Sequence, residues 1–451
     1  MARRIVVIGS GAAGMTAAST ARETAGDAEI TVITEDSHIA YSPCAIPFVI
    51  DGTIPDFGSI VMHTPEFYQK ERAISVRTDT KVASVDLAGK KVMTAAGDEI
   101  AFDSLVLCPG GKVFVPPIAG ADMKGVFPVH NLADGVAIQA ALKNAKTVVV
   151  AGAGVIGLEM AVAIRNLGKE VLVIEMLPQV VPRLLDQDMA QLVQHKLEPR
   201  GIGFVLNTPI GSIKGKDKVE AVMAGGKEIA CDMVILATGV RPNLELTNQM
   251  GLDVAPLGGV RVSPTLQPYS KGRLVKSVYL AGDVISCESA ATPGPTMNQL
   301  GSAAVRQGRV AGINAAGGRA TYPRVASPWI SDLGEIQVAG TGISRSLADY
   351  YGITVAEGKA KGSTRSRYYP DGKPLCVKLL AEAVTHRIVG AQVVGGEEVN
   401  GRINWLTAAV LMGVTAEEFL ISFENAYCPK TSPVQDVAVL AAEDLVAKMT
   451  K

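Results

Sequence analysis

No run of five or six like charges occurs in this sequence, and 43 Lys plus Arg balance 44 Asp plus Glu to a formal charge of -1. A broad electrostatic surface for nucleic acid is therefore not expected. No stretch approaches the roughly 18 apolar residues that a membrane crossing requires. The first apolar run, Ile5 to Ile8, begins too close to Met1 to leave room for a signal peptide and is broken at Gly9. Cysteine is sparse: six in 451 residues, with no Cys-x-x-Cys pair and no regular spacing. That fits neither a secreted disulfide framework nor a structural zinc site, so no metal is expected. These absences point to a soluble, cytoplasmic protein with no membrane or nucleic-acid partner.

Nor is there low complexity, because 47 glycines and 24 prolines are dispersed along a chain of 48% hydrophobic and 19% charged residues. The length is about three typical domains, enough for two or three separate cores.

What is present is one motif written twice. Arg4 to Ile8 reads as a short buried strand, followed by Gly9-Ser10-Gly11-Ala12-Ala13-Gly14 and a helical stretch to about Thr24. Later, Lys146 to Ala151 reads the same way, followed by Gly152-Ala153-Gly154-Val155-Ile156-Gly157 and a helical stretch to about Leu167. In each copy the first glycine permits the tight turn, the second lets backbone approach a pyrophosphate, and the third lets helix and strand pack closely. Each copy is followed by a strand-like run ending in an acid, Glu35 and Glu175, 21 and 18 residues past the third glycine. A carboxylate there accepts hydrogen bonds from a ribose. One copy alone is also what a plain glycine-rich turn looks like; two complete copies argue for two dinucleotides that exchange electrons, a flavin and a nicotinamide.

Two more strand-like runs end at turns of the same kind. Cys231 to Thr238 opens into Gly239-Val240-Arg241-Pro242, a crossing between domains, and Val278 to Ala281 ends at Gly282-Asp283. The expected fold class is α/β: a discontinuous first dinucleotide domain (1–113 and 250–320), a second inserted as 114–249, both Rossmann-like, and a C-terminal α+β domain (321–451). The last is signalled by hairpin turns at Asp371-Gly372 and His386-Arg387 and a helix around Asn404 to Met412.

These features resemble the two-dinucleotide flavoprotein disulfide reductases over essentially the whole chain. The resemblance implies that Gly9, Gly11, Ala12, Ala13, Gly14 and Glu35 bind FAD, and that Asp283 holds its ribityl and phosphate region. It assigns Gly152, Gly154, Ile156, Gly157, Glu159, Glu175 and Gly239 to the NAD(P)H site, and dimerisation to the third domain. Dithiol members such as glutathione reductase carry Cys-x-x-x-x-Cys where this chain has Cys44 and then Val49. The segment Tyr41-Ser42-Pro43-Cys44-Ala45-Ile46-Pro47 is most similar to the coenzyme A disulfide reductases, in a branch with persulfide and polysulfide reductases, NADH oxidases and NADH peroxidases. Ser10, Ala12 and Ala13 stand where the peroxidases and many related oxidases carry a histidine. Tyr368 and Tyr427 match tyrosines that the coenzyme A enzymes present to the partner's active site. The basic pair thought to hold coenzyme A phosphates is here Arg22-Glu23, and no rhodanese module follows before Lys451, so a persulfide is expected to arrive free or on another protein.

The implied chemistry is reduction of a small disulfide, persulfide or polysulfide through Cys44, with NADH as donor, FAD as carrier and coenzyme A as candidate substrate or cofactor. Catalytic candidates are Cys44, Tyr427 and Tyr368; substrate contacts are Arg22, Ser42 and Arg306. A reactive thiolate is expected to have its pKa lowered by a helix N-terminus or a nearby cation. Glu175, with no arginine beside it, favours NADH over NADPH, because a carboxylate repels a 2′-phosphate. His38 and His386 read as loop residues. Cys428, beside Tyr427, is either a second thiol acting across the dimer or an inert packed one; Cys108, Cys231, Cys287 and Cys376 read as structural. The rival readings are an NADH oxidase or peroxidase cycling Cys44 through a sulfenic acid, and a non-catalytic redox-sensing flavoprotein.

Overall fold

The computed structural model describes residues 2–450. Its first sheet has five parallel strands in the order Val278–Leu280, Ser104–Leu107, Arg4–Ile8, Glu29–Ile33, Ile74–Arg77. The second repeats the plan with Val126–Pro128, Met233–Leu236, Thr147–Ala151, Glu170–Ile174 and Ile202–Val205, again all parallel. Parallel pairing needs crossovers, and helices over the faces explain why central strands such as Val148 to Val150 are apolar and wholly buried.

The duplication goes further than the glycine motif. Between Ile74–Arg77 and Ser104–Leu107 the chain makes a three-stranded antiparallel meander, Val82–Asp86, Lys91–Thr94 and Glu99–Ala101. At the same place the second unit makes Ile210–Gly215, Val219–Ala224 and Lys227–Ala230. The units are joined by Gly111–Val113 paired antiparallel with Val240–Pro242, and Gly239 turns the chain into this bridge with φ +106°. After the crossing the chain returns to the first unit. Val278–Leu280 enters the first sheet, and helix Gly301–Ala315 lies against helix Ala12–Thr24, where a Cβ on Gly308 or Gly312 would overlap the backbone of Ala13 or Ala17.

The C-terminal unit is a five-stranded antiparallel sheet: Trp329–Asp332, Gln337–Gly342, Ile388–Gly395, Pro374–Glu382, Val355–Ser363. Asp371 and His386, at φ +66° and +59°, make its hairpin turns. Helices Val399–Met412 and Val437–Met449 pack on it, locked together by the buried Arg402–Asp436 pair at 2.8 Å. A charge cluster around the buried Lys378–Asp186 pair joins this unit to the second: Lys378 Nζ lies 2.8 Å from Asp186, 3.0 Å from Asp188 and 2.8 Å from Glu357. Among the described residues no helix is long and apolar enough to cross a membrane.

Candidate active site at the seam of the two nucleotide folds

The two glycine turns obey the same constraints. Gly9 and Gly152 have φ of +103° and +107°, and their N–H groups donate to Ile33 and Ile174, each at 2.8 Å. A Cβ on Gly9 would overlap the Cys108 carbonyl, and one on Gly152 the Ala237 carbonyl. A Cβ on Gly14 or Gly157 would overlap the carbonyl of its own turn's first glycine. At Gly11 and Gly154 a Cβ would meet nothing within 4 Å, so these middle glycines face open space. Helices Ala12–Thr24 and Val155–Asn166 start there with no side-chain cap and no acid in the first turn. Their leading N–H groups are thus open to an anion, and both turns fit a dinucleotide pyrophosphate.

The strand-end acids differ. Glu175 is buried, and its carboxylate accepts from Ala153 N at 2.8 Å and Leu177 N at 2.9 Å. It braces the second glycine turn, and a carboxylate has about four acceptor positions, so two remain for ribose hydroxyls. Glu35 is exposed. Asp283 follows Gly282, whose N–H donates to Gln307 Oε1 at 2.8 Å; burial pushes the Asp283 carboxyl up, and His130 pulls it down.

Cys44 lies in a single turn, Pro43–Ala45, that runs into the short helix Ile46–Ile50. Ile46, Val49 and Ile50 are buried in one apolar cluster with Val148, Leu158 and Met160 of the second unit. Val49 is therefore a packing residue where dithiol enzymes place a second sulfur. This packing sets Cys44 against helix Val155–Asn166, which carries Glu159. Cys44 is exposed, yet the surrounding protein pushes its thiol up: burial first, then the carboxylates of Glu159 and Asp283. The expectation of a lowered thiol pKa is thus corrected, since the charges acting on Cys44 are both negative. Burial also raises Glu159, while Ser331 Oγ donates to its Oε1 at 2.7 Å and stabilises the ionised form.

Two residues here carried no sequence signal. Ser331 comes from the C-terminal sheet, 172 positions from Glu159. His130, in the short link after Val126–Pro128, acts on both Asp36 and Asp283.

Tyr368 and Tyr427, on the C-terminal unit, are brought together with hydroxyls 2.6 Å apart and are 73% and 45% exposed. Tyr427 is acted on by Tyr368, Ser366 and Cys428. Cys428 is exposed in the single chain. Cys108 and Cys287 are buried with thiols pushed up to about 12, and Cys231 to about 11. Cys376 is also buried.

Ser42 is half-buried two residues before Cys44, and Arg306 is exposed on Gly301–Ala315. The Arg22 guanidinium donates to the carbonyls of Arg72 (3.0 Å), Gly26 (2.6 Å) and Ala73 (2.7 Å). It ties helix Ala12–Thr24 to the end of helix Pro65–Arg72 with three of its five N–H donors, which leaves one on each terminal nitrogen. Its neighbour Glu23 pairs with Arg72 at 3.2 Å.

Comparison with known proteins agrees with this geometry. The model of the pyridine nucleotide-disulphide oxidoreductases matches residues 3–308, and that of their dimerisation domain matches 333–434. The chain is 44% identical over 453 residues to a protein named NADH oxidase from Methanocaldococcus jannaschii, covering 99% of each. It is 31% identical over 449 residues to an NAD(P)H coenzyme A polysulfide/persulfide reductase from Pyrococcus horikoshii, again covering 99% of each. The solved structure of an NAD-dependent persulfide reductase from A. fulgidus superposes with a TM-score of 0.95 at 32% identity, over 99% of this chain and 84% of that one. One family model spans both glycine turns and Cys44 and a second spans most of the C-terminal sheet, so the chain is an oxidoreductase and belongs to the pyridine nucleotide-disulphide oxidoreductase family.

Proposed function

We propose that this protein is an NADH-dependent flavoenzyme that reduces a small persulfide, polysulfide or disulfide at Cys44. The observation that carries the reading is an exposed, solitary cysteine at the seam of two anion-ready glycine turns, with Glu159 of one unit and Asp283 of the other acting on its thiol. In this reading the unit made of 1–113 and 250–320 holds FAD through Gly9, Gly11, Gly14 and Asp283. The inserted unit 114–249 holds NADH through Gly152, Gly154, Gly157 and Glu175. When bound, FAD supplies an electron pair, drawn from NADH, to sulfur.

The chain's own residues do the rest. Cys44 as thiolate attacks the sulfane sulfur of a persulfide, forming a new S–S bond and expelling the original thiolate. Two electrons and a proton then release hydrosulfide and restore the thiolate. Tyr368 and Tyr427 of the partner subunit in a homodimer donate a phenolic hydrogen bond to the leaving sulfur.

The second reading, an NADH oxidase cycling Cys44 through a sulfenic acid, is favoured by the name of the 44% identical relative. Consumption of NADH separates them. Faster turnover with polysulfide without oxygen than with oxygen alone supports the sulfur reading; the reverse order refutes it in favour of the oxidase.

A further inference from the structure

Away from Cys44, the folded units meet around a cavity of about 130 Å³. That is close to the roughly 150 Å³ that admits a benzene-sized molecule in an engineered apolar cavity. Leu184, Met297 and Trp329 supply apolar wall, and Arg183, Ser327 and Gln392 supply polar groups.

The polar groups are short of acceptors. Gln392 is 1% exposed, and its Oε1 accepts the backbone N–H of Asp186 at 2.9 Å. A backbone N–H can only donate, which fixes the oxygen end of the amide and leaves Nε2 to the cavity side. That Nε2 has no partner, and neither does the buried Oγ of Ser327. Ser327 also holds φ +49°, a left-handed conformation that favours glycine. At the rim Arg183 is exposed, and among the described residues its guanidinium makes no hydrogen bond or ion pair. No aspartate or glutamate lines the cavity. Unpaired amide, hydroxyl and guanidinium donors beside apolar wall select an anionic acceptor with a small hydrocarbon body.

We propose that this junction cavity is a binding site for a small monocarboxylate, separate from Cys44 and both glycine turns, in which the carboxylate pairs with Gln392 Nε2, Ser327 Oγ and Arg183 and the hydrocarbon tail lies against Leu184, Met297 and Trp329. The occupant touches the amide that anchors Asp186, and Asp186 in turn pairs with Lys378, so the site sits on the contact joining the second unit to the C-terminal one.

Calorimetric titration of the full-length, FAD-loaded protein with butyrate tests this, with the neutral isostere butyramide as control. Saturable butyrate binding is expected, weakened about tenfold in Arg183→Ala and in Ser327→Ala, as loss of one charge-assisted or buried hydrogen bond implies. Butyramide is expected to bind more weakly than butyrate. Arg183 is exposed and unpaired, so its variant leaves the fold intact. Absence of saturable butyrate binding, or equal affinity in the wild type and both variants, overturns the proposal; the first outcome leaves water as the partner of Gln392.

Discussion

At the scale of single residues, Cys44 draws its properties from its neighbours. Burial and two carboxylates hold its thiol up, and Glu159 is the larger of the two charged contributions. Glu159→Gln removes one negative charge, so the thiolate becomes easier to form. The midpoint of Cys44 alkylation by iodoacetamide in NADH-reduced enzyme should move to lower pH by roughly 0.5–1 unit; an unchanged midpoint contradicts the coupling. Ser331→Ala acts one step back. The Ser331 hydroxyl favours ionised Glu159, so its loss raises the carboxyl pKa and extends the protonated form to higher pH. The acid limb of the pH–rate profile for NADH-driven turnover is therefore expected to shift upward, and Ser331→Thr to restore it. Cys44 was legible because its sequence neighbours mark it, and a solitary cysteine 30 residues past a glycine turn is a local feature. Ser331 and His130 were not legible, because their roles come from tertiary packing across units. The contacts of Arg22 were hidden for a related reason: sequence shows that a cation is present but not that three backbone carbonyls accept from it.

At the scale of elements, the glycine turns separate binding from folding. Gly154 has open space around its Cβ position, whereas a Cβ on Gly157 would overlap the Gly152 carbonyl. Gly154→Ala should leave the melting temperature near that of the wild type and raise the KM for NADH about tenfold or more, by blocking backbone approach to the pyrophosphate. Gly157→Ala should lower stability by about 1–3 kcal/mol through overpacking. If melting curves and kinetics show both variants with the same pair of defects, the assignment of distinct roles fails. The strand–turn–helix units were readable because each glycine answers a local steric demand. The two antiparallel meanders were not: strands as short as Lys91–Thr94 and Lys227–Ala230 alternate weakly, and their equivalence appears only when the sheets are laid side by side. The discontinuity of the first unit left two sequence traces, the crossing at Gly239–Pro242 and the strand end at Gly282-Asp283 that repeats the earlier pattern.

At the scale of the whole molecule, two features of the C-terminal unit carry predictions. Lys378, 4% exposed among Asp186, Asp188 and Glu357, holds that unit to the second one. Lys378→Ala strands the buried carboxylate of Asp186 and should cost about 3–5 kcal/mol, read as a lower unfolding midpoint in urea. The tyrosine pair is the other feature. If Tyr427 serves the partner's Cys44, then mixing Cys44→Ser with Tyr427→Phe subunits creates one intact site per mixed dimer. Random exchange should then restore about a quarter of wild-type activity. No recovery on mixing places the tyrosine in its own subunit's site. The Lys378 contact was not visible in the sequence, because it joins residues 190 positions apart, whereas the tyrosines were singled out there by resemblance.

The central claim is that electrons leave this enzyme through the sulfur of Cys44. Rapid mixing of the FAD-loaded Cys44→Ser protein, first with NADH and then with polysulfide in the absence of oxygen, tests it most directly. The account predicts that NADH still bleaches the yellow colour while polysulfide fails to restore it; recovery of the colour at the wild-type rate would contradict it.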